Sequence, residues 1–331
     1  LIKTVIDFKD IITLQINRQN RGAFKHWVKP SVTLILCAVI ILKVDWAAAG
    51  RSLVQANWVV LIIIFAWMIL NVVISTVKWK MLLAVHQIKY QFGRLLTYYF
   101  TATFLNNFLP GTIGGDAYRI LKTFNTNGRK TGAVVSVFME RLTGILALSM
   151  LGFGGAIIGF SRTGDDISRL VIIGGLLGIA ITVLGSLSGK LFKKPLRQLA
   201  HKLLPKIARD NIGIFEDYRH HLRVIFMVLL LSFLFQFCLI FYRLLLVHSV
   251  GATIPMFDMA VVVAVSTIVA LIPISLNGIG LLDGSFIYLM THYHVNYEQA
   301  FLVMLLIRLL NFPLGLIGGL FYLSDHVSFK P

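Results

Sequence analysis

The chain has 331 residues, 57% of them hydrophobic and 14% charged, with a mean hydropathy of +0.81, a surface no water-soluble domain of this length could carry. Its formal net charge of +17, from 31 Lys and Arg against 14 Asp and Glu, would suit a nucleic-acid binder, but the charge flanks apolar segments and no nucleic-acid module is recognisable. The expectation is an all-α polytopic integral membrane protein with anionic lipid headgroups as partners and no nucleic acid, since barrel strands would alternate in polarity.

Residues 1–29 carry Arg18, Arg21, Lys25 and Lys29 and read as a cytoplasmic amphipathic segment. The chain starts at Leu1 rather than Met, so a few residues are expected to precede it, and its start does not read as a signal peptide. A transmembrane domain is predicted over 30–326, in halves 30–189 and 224–326 joined by a basic cytoplasmic linker, 190–223. Trp27 and Trp46 bracket the first apolar segment, with Lys43 snorkelling to the interface. Uncharged runs at 58–77, 142–161, 170–189, 224–242 and 259–282 are each long enough for about 30 Å of hydrocarbon. With 95–115 and 299–324, the total is about eight hydrophobic segments. Cys37 and Cys238 fall inside apolar helices and are expected to be free thiols.

Loop charges set the orientation, because Lys and Arg concentrate on the cytoplasmic side. Lys78, Lys80, Lys89 and Arg94 read as a cytoplasmic loop, as do Lys190, Lys193, Lys194, Arg197, Lys202, Lys206 and Arg209, whereas the 161–168 loop with Asp165 and Asp166 should face out. If 95–115 crossed completely, the most basic loop would be stranded outside. A re-entrant hairpin removes the conflict, and Pro110-Gly111 followed by Gly114-Gly115 supplies its breaker. A second breaker, P-I-S-L-N-G-I-G-L-L-D-G at 273–284, predicts a second re-entrant segment from the other face, unless 259–282 simply spans. The fold expected is thus six full spans plus two broken helices arranged as an inverted repeat, with both termini in the cytoplasm and the site at mid-membrane.

Ionisable residues beside such breaks mark a functional site by default. Asp116 and Arg119 are three apart, so a helix starting near Gly115 shows both on one face, where Arg119 and free amide groups could bind a phosphate; Asp116 could equally be a helix cap. Glu140 and Arg141 lie either inside a tilted helix or at its cytoplasmic start, with Asp116 or Arg119 as partners if inside. Arg308 costs at least about 2.5 kcal/mol at the centre of a membrane helix unless paired. Asp283 is its natural partner, and snorkelling is the alternative. Asn106, Asn107 and Asn277, with Pro110, Gly114, Gly115, Pro273, Gly278 and Gly280, complete the candidate lipid-binding set. Arg243, near the end of a span, is expected to snorkel.

His220, His221, His292 and His294 fall in loops, and no H-E-x-x-H, D-x-D, P-loop or G-x-G-x-x-G pattern occurs, so no metal, no other cofactor and no ATP-driven work is expected.

The pieces N-N-F-L-P-G-T-I-G-G-D-A-Y-R at 106–119, E-R-L-T-G at 140–144, the 273–284 segment and the late Arg308 resemble the lysylphosphatidylglycerol synthase transmembrane region family, the flippase half of MprF proteins and their stand-alone YbhN- and AglD-type relatives. The resemblance runs from about Trp27 to Ser324. It implies a helical protein of the cytoplasmic membrane that moves a lipid, in MprF an aminoacylated phosphatidylglycerol, between leaflets. There are two departures. No synthase domain follows within the 331 residues, so aminoacyl transfer is not expected and the lipid could differ; and Asp283 stands where many relatives carry Glu. Three functions compete: a lipid flippase, a membrane-embedded transferase with a carboxylate base, and a scaffold for a separate synthase or glycosyltransferase. Partners expected are an anionic or aminoacylated phospholipid, the membrane, such a synthase, and a second copy in a homodimer.

Overall fold

The computed structural model describes residues 58–108, 113–124, 130–187, 218, 220–270 and 280–327, and every regular element among them is helical. In chain order these are α1 (Trp58–Val85), α2 (Phe92–Phe108), α3 (Ile113–Phe124), α4 (Lys130–Thr163), α5 (Asp166–Leu187), α6 (Leu222–Ser249), α7 (Met256–Ala270), α8 (Leu281–His292) and α9 (Tyr297–Val327). Four contain stretches long and apolar enough to cross a membrane: Val59–Val85, Gly132–Arg162, Leu222–Ser249 and Tyr297–Leu323. The chain is therefore an all-α, multi-pass membrane protein. The segment between Trp27 and Trp46, and nearly all of the basic linker, lie outside the described residues.

Leucines and phenylalanines that water would exclude form stripes at helical spacing on the outside of the bundle. On α6 these are Phe226, Leu230, Leu234 and Phe237, and on α9 Leu309, Phe312, Leu316, Leu320 and Leu323, all exposed. That is the surface acyl chains would cover. Inside, many hydroxyls are satisfied by their own helices, as Thr76 donating to the Val72 carbonyl at 2.8 Å and Ser266 to that of Val262 at 2.6 Å, and others bond across helices, as Ser232 to Thr143 at 3.3 Å.

Contacts between elements define two ends. At the first, His86 stacks edge-on to Tyr218 with centroids 5.0 Å apart, and Tyr90 donates to the Lys122 carbonyl at 3.0 Å. At the second, the Tyr293 hydroxyl lies 3.4 Å from Asp165 Oδ1, and Gln299 donates to the Val250 carbonyl at 3.1 Å. α1 and α6 run antiparallel between these ends, Trp67 packing on Phe241 and Tyr218 donating to the Leu82 carbonyl. α7 lies along α4, where Gly152, Gly155 and Gly159 face Ala260, Ala264 and Asp258.

α2 and α3 form an antiparallel hairpin. Tyr90 meets Lys122, Tyr98 meets Tyr118 at 6.1 Å, and Asn106 meets Gly115 at 2.9 Å, so both arms open at the first end and the tip, 109–112, lies outside the described residues. α7 and α8 form a second hairpin, since Asp258 at the start of α7 and Tyr293 just past α8 both lie against the 159–168 stretch. It opens at the other end. Of the 259–282 segment, the described helix reaches Ala270, so that α7 has 15 residues, about 22 Å at 1.5 Å per residue. α9 touches both hairpins. Gly318 packs on the Phe100 carbonyl of α2 so closely that any side chain would collide with it, while Arg308 reaches α8. Pro313 lies between these two contacts.

Two sequence expectations fail at helix ends. Lys78 is not in a cytoplasmic loop but inside α1, which continues to Val85, and it is 3% exposed. Helical phase, not charge, fixes its place, one turn beyond Ser75 on the inward face. Arg243 does not snorkel, because α6 extends to Ser249 and buries it at 7% exposure against α8.

Candidate functional site

The first hairpin gathers five polar side chains. Arg119 on α3 donates from Nη2 to Asp116 Oδ1 and from Nη1 to Glu140 Oε2 on α4, both at 2.7 Å. Arg141 donates to the other oxygen of Asp116 at 2.5 Å, and the Tyr99 hydroxyl to the other oxygen of Glu140 at 2.8 Å. The Arg119 guanidinium also lies over two rings, 4.4 Å from the Tyr99 centroid and 5.1 Å from that of Trp79, which suits its delocalised, weakly hydrated charge.

Helical spacing explains the assembly. Asp116 and Arg119 are neighbours across one turn of α3, and Glu140 and Arg141 lie well inside the 34-residue α4 rather than at its start, so consecutive residues of one helix take the two members of the other. Both carboxylates are fully engaged. Arg119 is sealed, its side chain 4% exposed, whereas that of Arg141 is 43% exposed. A cap contact comes not from Asp116, the alternative weighed above, but from Asn106 on α2, which accepts from the Gly115 amide, satisfying one orphan donor of the first turn. That amide and Arg119 are thus already occupied, and neither is open to a phosphate in this arrangement.

The second hairpin carries a simpler pair. Arg308 donates to both oxygens of Asp283, at 2.8 and 3.1 Å from Nη2 and 3.2 Å from Nε, and its side chain is 35% exposed. Asp283 Oδ2 also accepts from the Gly280 amide at 2.9 Å. It therefore closes the first turn of α8 and holds an arginine of α9 at once. Gly280 has φ 82°, a conformation other residues avoid.

Beside the first hairpin, α1, α2, α6 and α9 line a cavity of about 220 Å³, with Asn71, Ser75, Tyr99 and Asn311 on its polar side. Asn71 Oδ1 is buried with no hydrogen-bond partner. Lys78 lies just beyond, its Nζ 5.1 Å from the centroid of Phe235, a wall of the cavity. Arg243 sits 5.4 Å over the Phe286 ring, with Nε and Nη1 buried and unpartnered.

Sequence reasoning singled out neither Lys78, Asn71, Tyr99 nor Trp79. The signal available was Asn71, Ser75 and Lys78 at spacings of four and three, one polar stripe on an otherwise apolar helix. Of the residues it did single out, Asn106, Gly114, Gly115, Asp116, Arg119, Glu140 and Arg141 fall in the first hairpin and its α4 neighbour, and Gly280, Asp283 and Arg308 at the second. No ion pair joins the two groups among the described residues. The Asn107 side chain, Pro110, Pro273, Asn277 and Gly278 lie outside them. No cluster of His, Cys, Asp and Glu suited to a metal occurs among the described residues.

A family model described as the lysylphosphatidylglycerol synthase TM region matches residues 27–319. No curated protein matches the chain.

Proposed function

The chain belongs to the lysylphosphatidylglycerol synthase TM region family, whose members are membrane proteins of lipid handling, and from that premise we propose that it moves a phosphate-bearing lipid between the leaflets of the cytoplasmic membrane. One observation carries the reading: two helical hairpins that open at opposite ends of the bundle, each with a carboxylate paired to an arginine of a helix packed against it, Asp116 to Arg141 of α4 and Asp283 to Arg308 of α9. Broken helices entering from opposite faces are the arrangement in which transporters hold a polar group at mid-membrane. Both hairpins are then re-entrant, the first from the cytoplasmic face, with both termini of the chain on that side.

The side chains divide into two kinds. Arg119, sealed by Asp116, Glu140, Tyr99 and Trp79, fixes the hairpin and its neighbour α4. Arg141 and Arg308 have side chains 43% and 35% exposed, and their planar guanidinium donors suit a phosphate. The carboxylates keep these arginines charged and aimed. No covalent step is needed, and the protein acts as a carrier rather than an enzyme.

Reconstitution into liposomes with a headgroup-labelled phospholipid and a membrane-impermeant quencher tests this directly. The wild type should expose inner-leaflet label at least tenfold faster than empty vesicles, and Arg308→Ala should fall most of the way back. A wild-type rate equal to that of empty vesicles overturns the proposal.

A further inference from the structure

We infer that the cavity between α1, α2, α6 and α9 binds the phosphodiester of an anionic lipid, with Lys78 as its cation, and that it discriminates against headgroups carrying an ammonium group. The inference deepens the transport reading and rests on it for the lipid.

Charge counting leads there. Lys78, Arg119 and Arg141 face two carboxylates, Asp116 and Glu140. Every carboxylate oxygen is taken: those of Asp116 by Arg119 and Arg141, those of Glu140 by Arg119 and Tyr99. Lys78 therefore has no carboxylate oxygen of its own, and its contact is the face of Phe235. The ammonium is 3% exposed, and the carboxylate whose field reaches it, Glu140, is already matched by Arg119, which repels Lys78 in turn, so a charge buried here is stabilised by a further anion. The cluster has one positive charge in excess.

The cavity is where that anion fits. Phe235, beneath the ammonium, and Tyr99, which bonds Glu140, are both cavity walls, and Ser75 lines it one turn before Lys78. Asn71, whose unpartnered amide oxygen can only accept, suits a hydroxyl of the glycerol headgroup rather than the phosphate. At about 30 Å³ per water, the volume of about 220 Å³ equals about seven waters, room for a phosphodiester and its glycerol but not for acyl chains. Met68, Val72, Leu239 and Leu314 form its apolar wall, and the chains lie outside against the exposed stripes of the bundle. A headgroup with its own ammonium would bring a second cation beside Lys78 and find no free carboxylate oxygen in this cluster. Phosphatidylglycerol is thus favoured over phosphatidylethanolamine, and both over lysylphosphatidylglycerol.

The test is equilibrium binding of these three lipids, each fluorescently labelled on an acyl chain, to the purified full chain in detergent micelles. The wild type should bind phosphatidylglycerol at least tenfold more tightly than the other two. Lys78→Met should abolish the preference and Lys78→Arg should keep it. Equal binding of the three lipids by the wild type, or an unchanged preference in Lys78→Met, overturns the inference. Should Lys78→Met fail to fold by size-exclusion chromatography, Asn71→Leu and Ser75→Ala, which keep the ammonium, should weaken phosphatidylglycerol at least threefold; unaltered affinity in both overturns it. Competition by glycerol 3-phosphate or inorganic phosphate at concentrations matching the lipid would make the ligand a soluble phosphate and overturn the lipid assignment. Binding in micelles requires no translocation. Preferential binding with no liposome transport therefore sinks only the carrier reading, and transport without headgroup preference sinks only this one.

Discussion

Arg119 and Glu140 meet at 2.7 Å across 21 residues of sequence, with side chains only 4% and 6% exposed. A buried pair of this kind adds little net stability against an apolar replacement, but breaking it by removing one partner leaves an uncompensated charge, at a cost of about 3–5 kcal/mol.

Glu140→Gln should therefore destabilise the protein by about 3 kcal/mol, near the lower limit because Asp116 still holds the guanidinium. The double variant Arg119→Met with Glu140→Gln should be less damaged than the sum of the single changes, with a coupling of at least about 1 kcal/mol. Reversible unfolding in mixed micelles measures all three. Strict additivity would mean that the pair is not a unit.

Asp283 serves two partners, and its variants should separate them. Arg308→Ala loses the ion pair alone, whereas Asp283→Ala loses the pair and the Gly280 amide contact, worth about a further 1 kcal/mol. Exchanging the residues, Arg308→Asp with Asp283→Arg, should recover a larger share of lipid transport than either single exchange, and unfolding should still register the missing cap. An exchange variant no better than Arg308→Asp in the liposome assay contradicts this.

The approach of α9 to α2 depends on Gly318. A methyl group there would strike the Phe100 carbonyl oxygen, backbone that cannot rotate away, so Gly318→Ala should cost about 1–3 kcal/mol. Gly154, in α4, has nothing within 4 Å of where a Cβ would stand, and Gly154→Ala should stay within about 0.5 kcal/mol of the wild type. Thermal unfolding in detergent compares them, and equal losses would argue against the packing described.

Topology has its own check. Lys89 and Asp166 are exposed at opposite ends of the bundle, and Cys238 is buried. In a Cys37→Ser background, a membrane-impermeant maleimide applied to intact cells should label Asp166→Cys and leave Lys89→Cys unlabelled until the membrane is opened. The reverse pattern would invert the proposed orientation.

What could be read from the sequence was set by rules of local grammar. Pro110-Gly111 and the 273–284 breaker were legible because proline, glycine and parity of basic loops act over short distances, and the observed hairpins flank both. Asp116 with Arg119 followed from helix spacing, whereas Glu140 and Arg141 stayed open between the interior and the start of a helix, because the apolar residues on both sides of them do not fix where the helix begins. Lys78 was misplaced because counting Lys and Arg near span ends assumes that each faces water, whereas the phase of α1 turns this one inward. Arg243 was misplaced because α6 runs to Ser249, beyond the apolar run that defined the span. The cavity had no sequence signature, since its walls come from four helices whose mutual packing no local pattern encodes.

α9 gives the two opposed hairpins a common axle. Its first half holds α8 through Arg308, its second lies on α2 through Gly318, and between them Pro313 has no amide to offer the Leu309 carbonyl, the place where a helix bends most readily. A tilt of either hairpin must therefore either carry its counterpart along or be absorbed at that joint. Stiffening the joint with Pro313→Ala would gear the two ends rigidly together, so that opening one side of the membrane and closing the other become a single stroke.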